Sequence, residues 1–116
     1  MSDPEILVAC LCAQWCGVCR EYTGAFAQVR ERFGDMRFVW VDVEDESDLV
    51  DPVEVENFPT LLIAHGAQPR FFGPLMPQPG TLERIVRERS THADPGLAGR
   101  ADLVALVARL RAAAAD

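Results

Sequence analysis

The chain has 116 residues, of which 49 % are apolar, and this is enough for one domain built around one hydrophobic core. Eighteen acidic residues against eleven basic ones give a net charge of −7, which argues against nucleic acid or an anionic membrane surface as a partner. No apolar run approaches the roughly 18 residues that span a membrane, and Met1–Glu5 is acidic where a secretory leader would be basic. We therefore expect a soluble, cytoplasmic protein.

The first predicted elements are a strand, a helix and a second strand. The unbroken apolar run Ile6–Cys12 predicts a strand over 5–12 that is buried on both faces. A helical period of apolar residues predicts a helix over 16–33, ended by Gly34 at the C′ position. High β-propensity predicts a strand over 37–43, in which Trp40 is expected to pack in the core. A strand, a helix and a strand of these lengths form a right-handed unit with the two strands parallel.

The second half of the chain predicts a hairpin and two more helices. An acidic stretch over 42–51 is interpreted as a solvated loop with a short helix, since it lacks the glycine that a calcium loop needs at its sharp turn. The whole order is β-α-β-(α)-β-β-α plus a terminal helix, which predicts an α/β sheet of four mixed strands covered on both sides. The later predicted elements are a strand over 61–64, a strand over 70–72, a helix capped by Thr81, a linker over 90–99 and a helix over 102–115.

Two cysteines, Cys16 and Cys19, fall where the buried strand turns into the helix. The first turn of a helix has unpaired N–H groups and the positive end of the helix dipole, so a thiolate is favoured at Cys16. Cysteines in such a position have pKa values of roughly 3.5–7.5, against about 8.5 for a free cysteine. Cys19 lies one turn later and can reach Cys16 to close a short disulfide, so we expect the pair to act as a redox couple.

The motif Trp15-Cys16-Gly17-Val18-Cys19 follows a buried strand, and Phe58-Pro59-Thr60 comes about forty residues later. In these features the sequence resembles the thioredoxin family over residues 5–90. The resemblance implies a thioredoxin-like fold in a single domain, here without the usual N-terminal strand and helix of the family. The extra helix that ends the chain, within a C-terminal extension over about 95–116, is expected to cover the sheet face left bare.

The resemblance also implies a role for each residue of the motif. Cys16 would attack a substrate disulfide, and Cys19 would resolve the mixed disulfide that forms. Pro59 would follow a cis peptide bond, pack against the cysteines and keep metal away from them, while the backbone of Phe58 pairs with an extended substrate segment. The other residues expected to contact the substrate are Trp15, Gly17 and Val18.

The expected reaction needs protein disulfides as substrates and a source of electrons. By resemblance to the family, the electrons would come from an NADPH-dependent thioredoxin reductase or from glutathione. No bound cofactor and no metal are expected, and neither nucleic acid nor a membrane is expected as a partner.

Three positions depart from the family pattern. Val18 stands where thioredoxins usually have proline, which changes the relative stability of dithiol and disulfide. Cys10 stands where the family buries an aspartate beneath the second cysteine, so general-base help worth roughly 10²-fold could be missing. Cys12 occupies the position of a second family aromatic.

Cys10 and Cys12 are two residues apart on a strand and therefore share a face. Three interpretations stay open: small buried hydrophobic residues, a second redox or regulatory pair, or joint ligands of zinc or an iron–sulfur cluster with Cys16 and Cys19. For the whole protein, the alternative to an oxidoreductase is a binding or assembly module on the same fold with weak or regulatory redox activity.

Overall fold

The structure is a computed structural model that describes residues 5–13, 17–51, 53, 55, 58–74, 79–89, 97 and 99–114. None of the helices in these ranges is long and apolar enough to cross a lipid bilayer. The strands are β1 (Ile6–Cys12), β2 (Arg37–Asp42), β3 (Thr60–His65) and β4 (Gln68–Pro74). The helices are α1 (Gly17–Arg32), α2 (Ser47–Val50), α3 (Pro79–Arg89) and α4 (Ala101–Ala114).

The strands form one mixed sheet in the order β2-β1-β3-β4. β1 runs parallel to β2 and antiparallel to β3, and β3 forms an antiparallel hairpin with β4. Gly66 turns this hairpin with a φ of +62°, in the left-handed region that glycine adopts without strain. The predicted fold class, a four-stranded mixed sheet with flanking helices, is therefore confirmed.

β1 is the central strand, and it is buried on both faces as its unbroken apolar run predicts. Its residues alternate between two hydrophobic clusters because successive side chains of a strand point to opposite faces. Val8, Cys10 and Cys12 pack with apolar residues of α1 and α3. Leu7 and Leu11 pack on the other face with apolar residues of α2 and α4. The sheet is thus covered by helices on both sides.

α4 covers the second face of the sheet and is fixed there by apolar packing and by two arginines. Arg109 Nε donates a hydrogen bond of 2.7 Å to the carbonyl of Leu49. Arg111 donates to the carbonyls of Gly66 and Glu5, at 2.9 and 2.8 Å. The buried residues of α4, all at most 1 % exposed, are Leu103, Leu106, Val107 and Leu110.

The end of α1 differs from the prediction. The helix stops at Arg32, and the next residue closes a tighter turn through a Phe33 N–H to Arg30 carbonyl bond of 3.3 Å. Gly34 is not a left-handed cap, because the positive φ values among the described glycines belong to Gly66 and Gly99. A 3₁₀-type hydrogen bond, from an N–H to the carbonyl three residues earlier, therefore ends α1 where a glycine cap was expected.

Three elements in the second half are longer than predicted, and β3 exceeds the predicted 61–64 by one residue at each end. α3 begins at Pro79, so Thr81 is its third residue and not its cap. Proline suits the first helical position because the N–H that it lacks has no partner there in any helix. β4 spans Gln68–Pro74, since its pairing with β3 continues beyond the predicted 70–72 on both sides.

Candidate active site

Cys19 lies in the first turn of α1, directly after the central strand, and its side chain is buried with 1 % exposure. It packs in the hydrophobic cluster that also contains Cys10 and Cys12 of β1. Gly17 begins the helix and is exposed. Trp15, Cys16 and the side chain of Val18 lie outside the described residues, so their predicted roles stay predictions.

The peptide bond between Phe58 and Pro59 is cis. Pro59 is buried and immediately precedes β3, whose first residue Thr60 pairs with Leu11 near the carboxyl end of β1. Phe58 is half-buried against the cluster that contains Cys19. The topology therefore brings Phe58, Pro59 and Cys19 to the same end of the sheet, which the spacing of the two motifs alone does not reveal.

Cys10 and Cys12 form a buried pair of thiols beneath α1. Their Sγ atoms are 3.5 Å apart, a weak hydrogen-bonding distance in which either sulfur can donate. Cys10, Cys12 and Cys19 form no disulfide with one another. Both strand cysteines are at most 1 % exposed, which is the environment expected of small buried hydrophobic residues.

Tyr22 packs over this thiol pair from α1 and is fully buried. Its hydroxyl has no hydrogen-bond partner within the described part of the chain. Burial raises the pKa of Tyr22 well above its usual value, and the nearby Cys10 and Cys12 add to the rise. The hydroxyl therefore stays protonated, and it brings no charge to the cysteine cluster.

The four-cysteine metal site is not tested by the structure, since one of its members, Cys16, lies outside the described residues. Within the described ranges, no group of three or more His, Cys, Asp or Glu side chains is arranged to hold a metal ion.

A groove of about 390 Å³ opens beside Cys19, between α1 and the edge strand β2. On the helix side it is lined by Cys19, Arg20 and Thr23. On the strand side Trp40 and Asp42 lie two residues apart on one face, and Ala13 also lines the groove.

Trp40 was expected in the core, and that prediction is wrong. Its side chain is 37 % exposed and touches α1 by an edge contact with Phe26, with ring centroids 5.6 Å apart. Trp40 pairs with Cys10 and so shares the face that α1 covers. β2 is, however, the outermost strand, and α1 leaves part of this large ring open to solvent.

The sequence model of the family described as Thioredoxin matches residues 1–74 of the chain. The chain belongs to the thioredoxin family. Among curated thioredoxins, Thioredoxin H2-1 of Oryza sativa subsp. japonica is 31 % identical over 67 residues, which is 58 % of this chain and 49 % of that protein. Thioredoxin-2 of Saccharomyces cerevisiae is 30 % identical over 67 residues, or 58 % of this chain and 64 % of the relative. The chain thus spans about half to two thirds of the length of these relatives.

Solved thioredoxin structures share the fold. Oxidised mitochondrial thioredoxin 3 of Saccharomyces cerevisiae superposes with a TM-score of 0.65 at 26 % identity, over 72 % of this chain and 78 % of that one. Thioredoxin of Trypanosoma brucei brucei gives a TM-score of 0.65 at 27 % identity, over 76 % and 77 % of the two chains. The thioredoxin-like fold implied by the sequence motif is therefore confirmed.

The groove residues Trp40 and Asp42 were missed as candidates for a thioredoxin site. The available signal was their position: they share one face near the carboxyl end of β2, and the carboxyl ends of two parallel strands meet at one edge of a sheet. The backbone confirms this proximity, because the Val43 N–H donates a 2.8 Å bond to the carbonyl of Cys12.

Proposed function

We propose that the protein is a thiol–disulfide oxidoreductase that reduces or exchanges disulfides of other proteins. The Cys16 thiolate attacks one sulfur of the substrate disulfide, and the other substrate sulfur leaves as a thiolate that takes up a proton. Cys19 then loses its proton and attacks the Cys16 sulfur, which releases the second substrate thiol. Two electrons pass to the substrate, and the protein is left with a Cys16–Cys19 disulfide.

The observation that carries this proposal is the position of Cys19. It lies in the first turn of α1, which follows the central strand, and at the same end of the sheet as the cis Phe58–Pro59 bond. A thiol that resolves a mixed disulfide must be near the attacking sulfur yet shielded from competing substrates. The burial of Cys19 fits the second requirement.

The substrate would approach the end of the sheet where Phe58 and Pro59 lie. In this proposal the backbone of Phe58 pairs with an extended substrate segment by strand addition, and Pro59 packs against the reacting sulfurs. Trp15, Gly17 and Val18 are proposed to contact the same segment.

The oxidised protein must be returned to its dithiol form by a reductant. We propose an NADPH-dependent thioredoxin reductase or glutathione for this step, in the reducing environment of the cytoplasm. Family membership supports this choice, and a structural neighbour at 25 % identity comes from work on the yeast mitochondrial 1-Cys peroxiredoxin with glutathione/thioredoxin systems.

Trapping of the mixed disulfide tests the proposed roles of the two cysteines. We expect Cys19→Ser to accumulate a covalent adduct with a disulfide substrate such as insulin, because Cys16 can attack but no thiol can resolve the product. Cys16→Ser should form no adduct and should lose insulin reduction. Non-reducing electrophoresis and intact-mass measurement identify the adduct, and a reductant must release it.

Cys12→Ala is the matched control, since it removes a buried thiol of the same cluster and is expected to keep insulin reduction. An adduct of equal yield in Cys16→Ser and Cys19→Ser would contradict the assigned roles.

A binding or assembly module with weak redox activity is the second candidate. The exposed Trp40 beside the groove favours it, because large apolar side chains at a surface often mark contact with a partner. Lack of insulin reduction by the wild-type protein with either reductant would favour the module over the enzyme.

A further inference from the structure

The groove between α1 and β2 adjoins the proposed redox site through a shared residue. Cys19 belongs both to the first turn of α1 and to the lining of the groove. A polypeptide whose disulfide is held at the start of α1 can therefore place a neighbouring side chain in the groove. With about 390 Å³, the groove has room for one long side chain.

Trp40 supplies the apolar floor of this groove. It is the large hydrophobic residue that the described part of the chain leaves exposed, at 37 %. Its edge contact with Phe26 holds the ring on one side and leaves the other side for a ligand. An indole is the aromatic surface on which a Lys or Arg side chain binds best, by cation–π attraction and by contact with the aliphatic stem.

Asp42 supplies a negative charge at the same wall. One carboxylate oxygen accepts backbone N–H bonds from Glu44 at 2.9 Å and Asp45 at 3.1 Å. These two bonds fix the carboxylate beside Trp40, and its second oxygen makes no hydrogen bond to any described residue. The site thus combines an aromatic surface with a fixed anion.

The segment that follows Asp42, which includes α2, extends the negative field. Its exposed acidic side chains form no ion pair with the residues that the structure describes, and they add to a net charge of −7. Such a field raises the rate of encounter with a positively charged partner and repels a negative one. The acidic residues over 45–51 that form no ion pair with a described residue are Asp45, Glu46, Asp48 and Asp51.

Arg20 lies on the opposite wall, on the helix side. Its guanidinium group comes within 4.0 Å of the position that a β-carbon on Gly17 would occupy, so it turns toward the start of α1. The positive charge is therefore next to the proposed redox site, and the negative charge of Asp42 is on the strand side.

We propose that this groove selects disulfide substrates with a basic residue beside the half-cystine. The Lys or Arg side chain lies across the Trp40 indole, and its charge pairs with Asp42. The proposal rests on the proposed function, since it names the substrate class that the same site prefers.

A set of disulfide-linked peptides tests this preference. The peptides differ only at the residue next to the half-cystine, which is Arg, Gln or Glu, and the measured quantity is kcat/KM for their reduction. We expect the wild-type protein to favour Arg over Glu by about threefold to tenfold at low salt. Higher ionic strength should reduce this ratio, because salt screens exposed charges.

Two variants assign the preference to the groove. Asp42→Asn keeps an oxygen for the two backbone N–H bonds but removes the charge. We expect it to lower the ratio of kcat/KM for the Arg peptide to that for the Glu peptide by about two- to fivefold. Trp40→Leu keeps an apolar side chain but removes the aromatic face, and we expect it to lower the Arg-to-Gln ratio similarly. Asp35→Asn is the matched control, since it removes one exposed carboxylate before β2 and should keep the wild-type ratios.

Direct binding separates this proposal from the redox activity. The disulfide of the Arg and Glu peptides is replaced by a thioether that cannot be reduced, and the indole N–H resonance of Trp40 is followed by NMR. Trp40→Leu assigns the resonance, since the chain has two tryptophans. The Arg peptide should shift it at lower concentration than the Glu peptide, and Asp42→Asn should weaken this effect.

The possible outcomes point to different failures. Reduction of all peptides at equal rates would overturn the groove proposal and leave the proposed function standing. Failure to reduce any peptide, with an Asp42-dependent shift of the Trp40 resonance, would reject the reductase and support the groove as a binding site. Absence of both the reduction and the shift would overturn both proposals.

Discussion

Tyr22 buries a hydroxyl group above two thiols without a hydrogen-bond partner among the described residues. A buried hydroxyl that has lost its water and gained no partner lowers stability. Tyr22 therefore stabilises the fold through its ring, which fills the space between α1 and the Cys10–Cys12 pair.

We expect Tyr22→Phe to raise the free energy of unfolding by up to about 1 kcal/mol at neutral pH, because it removes only the unpaired hydroxyl. Burial raises the pKa of Tyr22, so the wild-type protein also loses stability as the pH rises above about 10, where the unfolded chain ionises and the folded one does not. Urea unfolding at pH 7 and pH 10.5 measures both effects. A clear loss of stability in Tyr22→Phe at pH 7 would show that the hydroxyl is bonded.

Since the chain has one tyrosine, absorbance near 295 nm follows its ionisation directly. The folded protein should show no tyrosinate signal until it unfolds, and Tyr22→Phe should show none at all.

At the scale of single residues, sequence patterns predicted burial better than exposure. The unbroken apolar run correctly placed Cys10 and Cys12 in the interior. The same reasoning failed for Trp40, because alternation along a strand tells which face a side chain takes but not how far a helix covers that face. The place of β2 at the edge of the sheet is a tertiary fact that its own residues do not encode.

At the scale of elements, α4 begins with an ion pair that should give it a pH dependence. Arg100 donates two hydrogen bonds, of 2.9 and 2.8 Å, to the carboxylate of Asp102. These bonds lower the pKa of Asp102 to about 2, against about 3.9 for a free aspartate. A lowered pKa means that the folded state stabilises the ionised carboxylate. The carboxylate therefore contributes to the stability of the fold above pH 4.

We expect Asp102→Asn to lower the melting temperature at pH 7 relative to the wild-type protein. The difference should shrink as the pH falls from about 4 to about 2, because the wild-type carboxylate then loses its charge too. Thermal unfolding followed by circular dichroism across this range measures it. Arg100→Gln should reproduce the effect, and a constant difference at all pH values would exclude the ion pair as its cause.

The ends of elements were the least predictable features at this scale. α1 ends in a 3₁₀-type hydrogen bond before Gly34, and α3 begins at Pro79, two residues before Thr81. In both places several residues could serve as a terminus, and the sequence alone does not select one of them.

At the scale of the whole molecule, one sheet separates two hydrophobic clusters. The first lies under α1 and α3 and contains Cys10, Cys12 and Cys19, and the second lies under α4. Both clusters include residues of β1, so loss of either one exposes the central strand. The prediction that a C-terminal helix covers one face followed from its apolar stripe, whereas its contacts with Glu5 and Gly66 could not be read from the sequence.

We expect removal of residues 100–116 to abolish cooperative unfolding, because it uncovers the second cluster. Binding of a hydrophobic dye and the loss of a sharp thermal transition would report this change. A truncated chain that keeps its melting temperature would contradict the assigned role of α4.

Leu106→Ala is a milder form of the same experiment. Leu106 is fully buried, and truncation of such a leucine costs about 2–5 kcal/mol, a large part of the roughly 5–15 kcal/mol that stabilise a domain. Leu106→Met is the matched control, since it nearly conserves volume and should cost less than about 1.5 kcal/mol.

The hydrogen bonds from Arg111 to Gly66 and Glu5 have a practical consequence for attaching this protein to a surface or a label. They bring the last turns of α4 beside Glu5, at the end of β1 opposite to the one that leads into α1. The seven residues of β1 separate the two rims of the sheet by about 20 Å. A bead, an electrode or a dye coupled near residue 5 or residue 111 would therefore lie at the end of the sheet beside Glu5. The opposite end, where α1 and Cys19 lie, would stay open to a large protein.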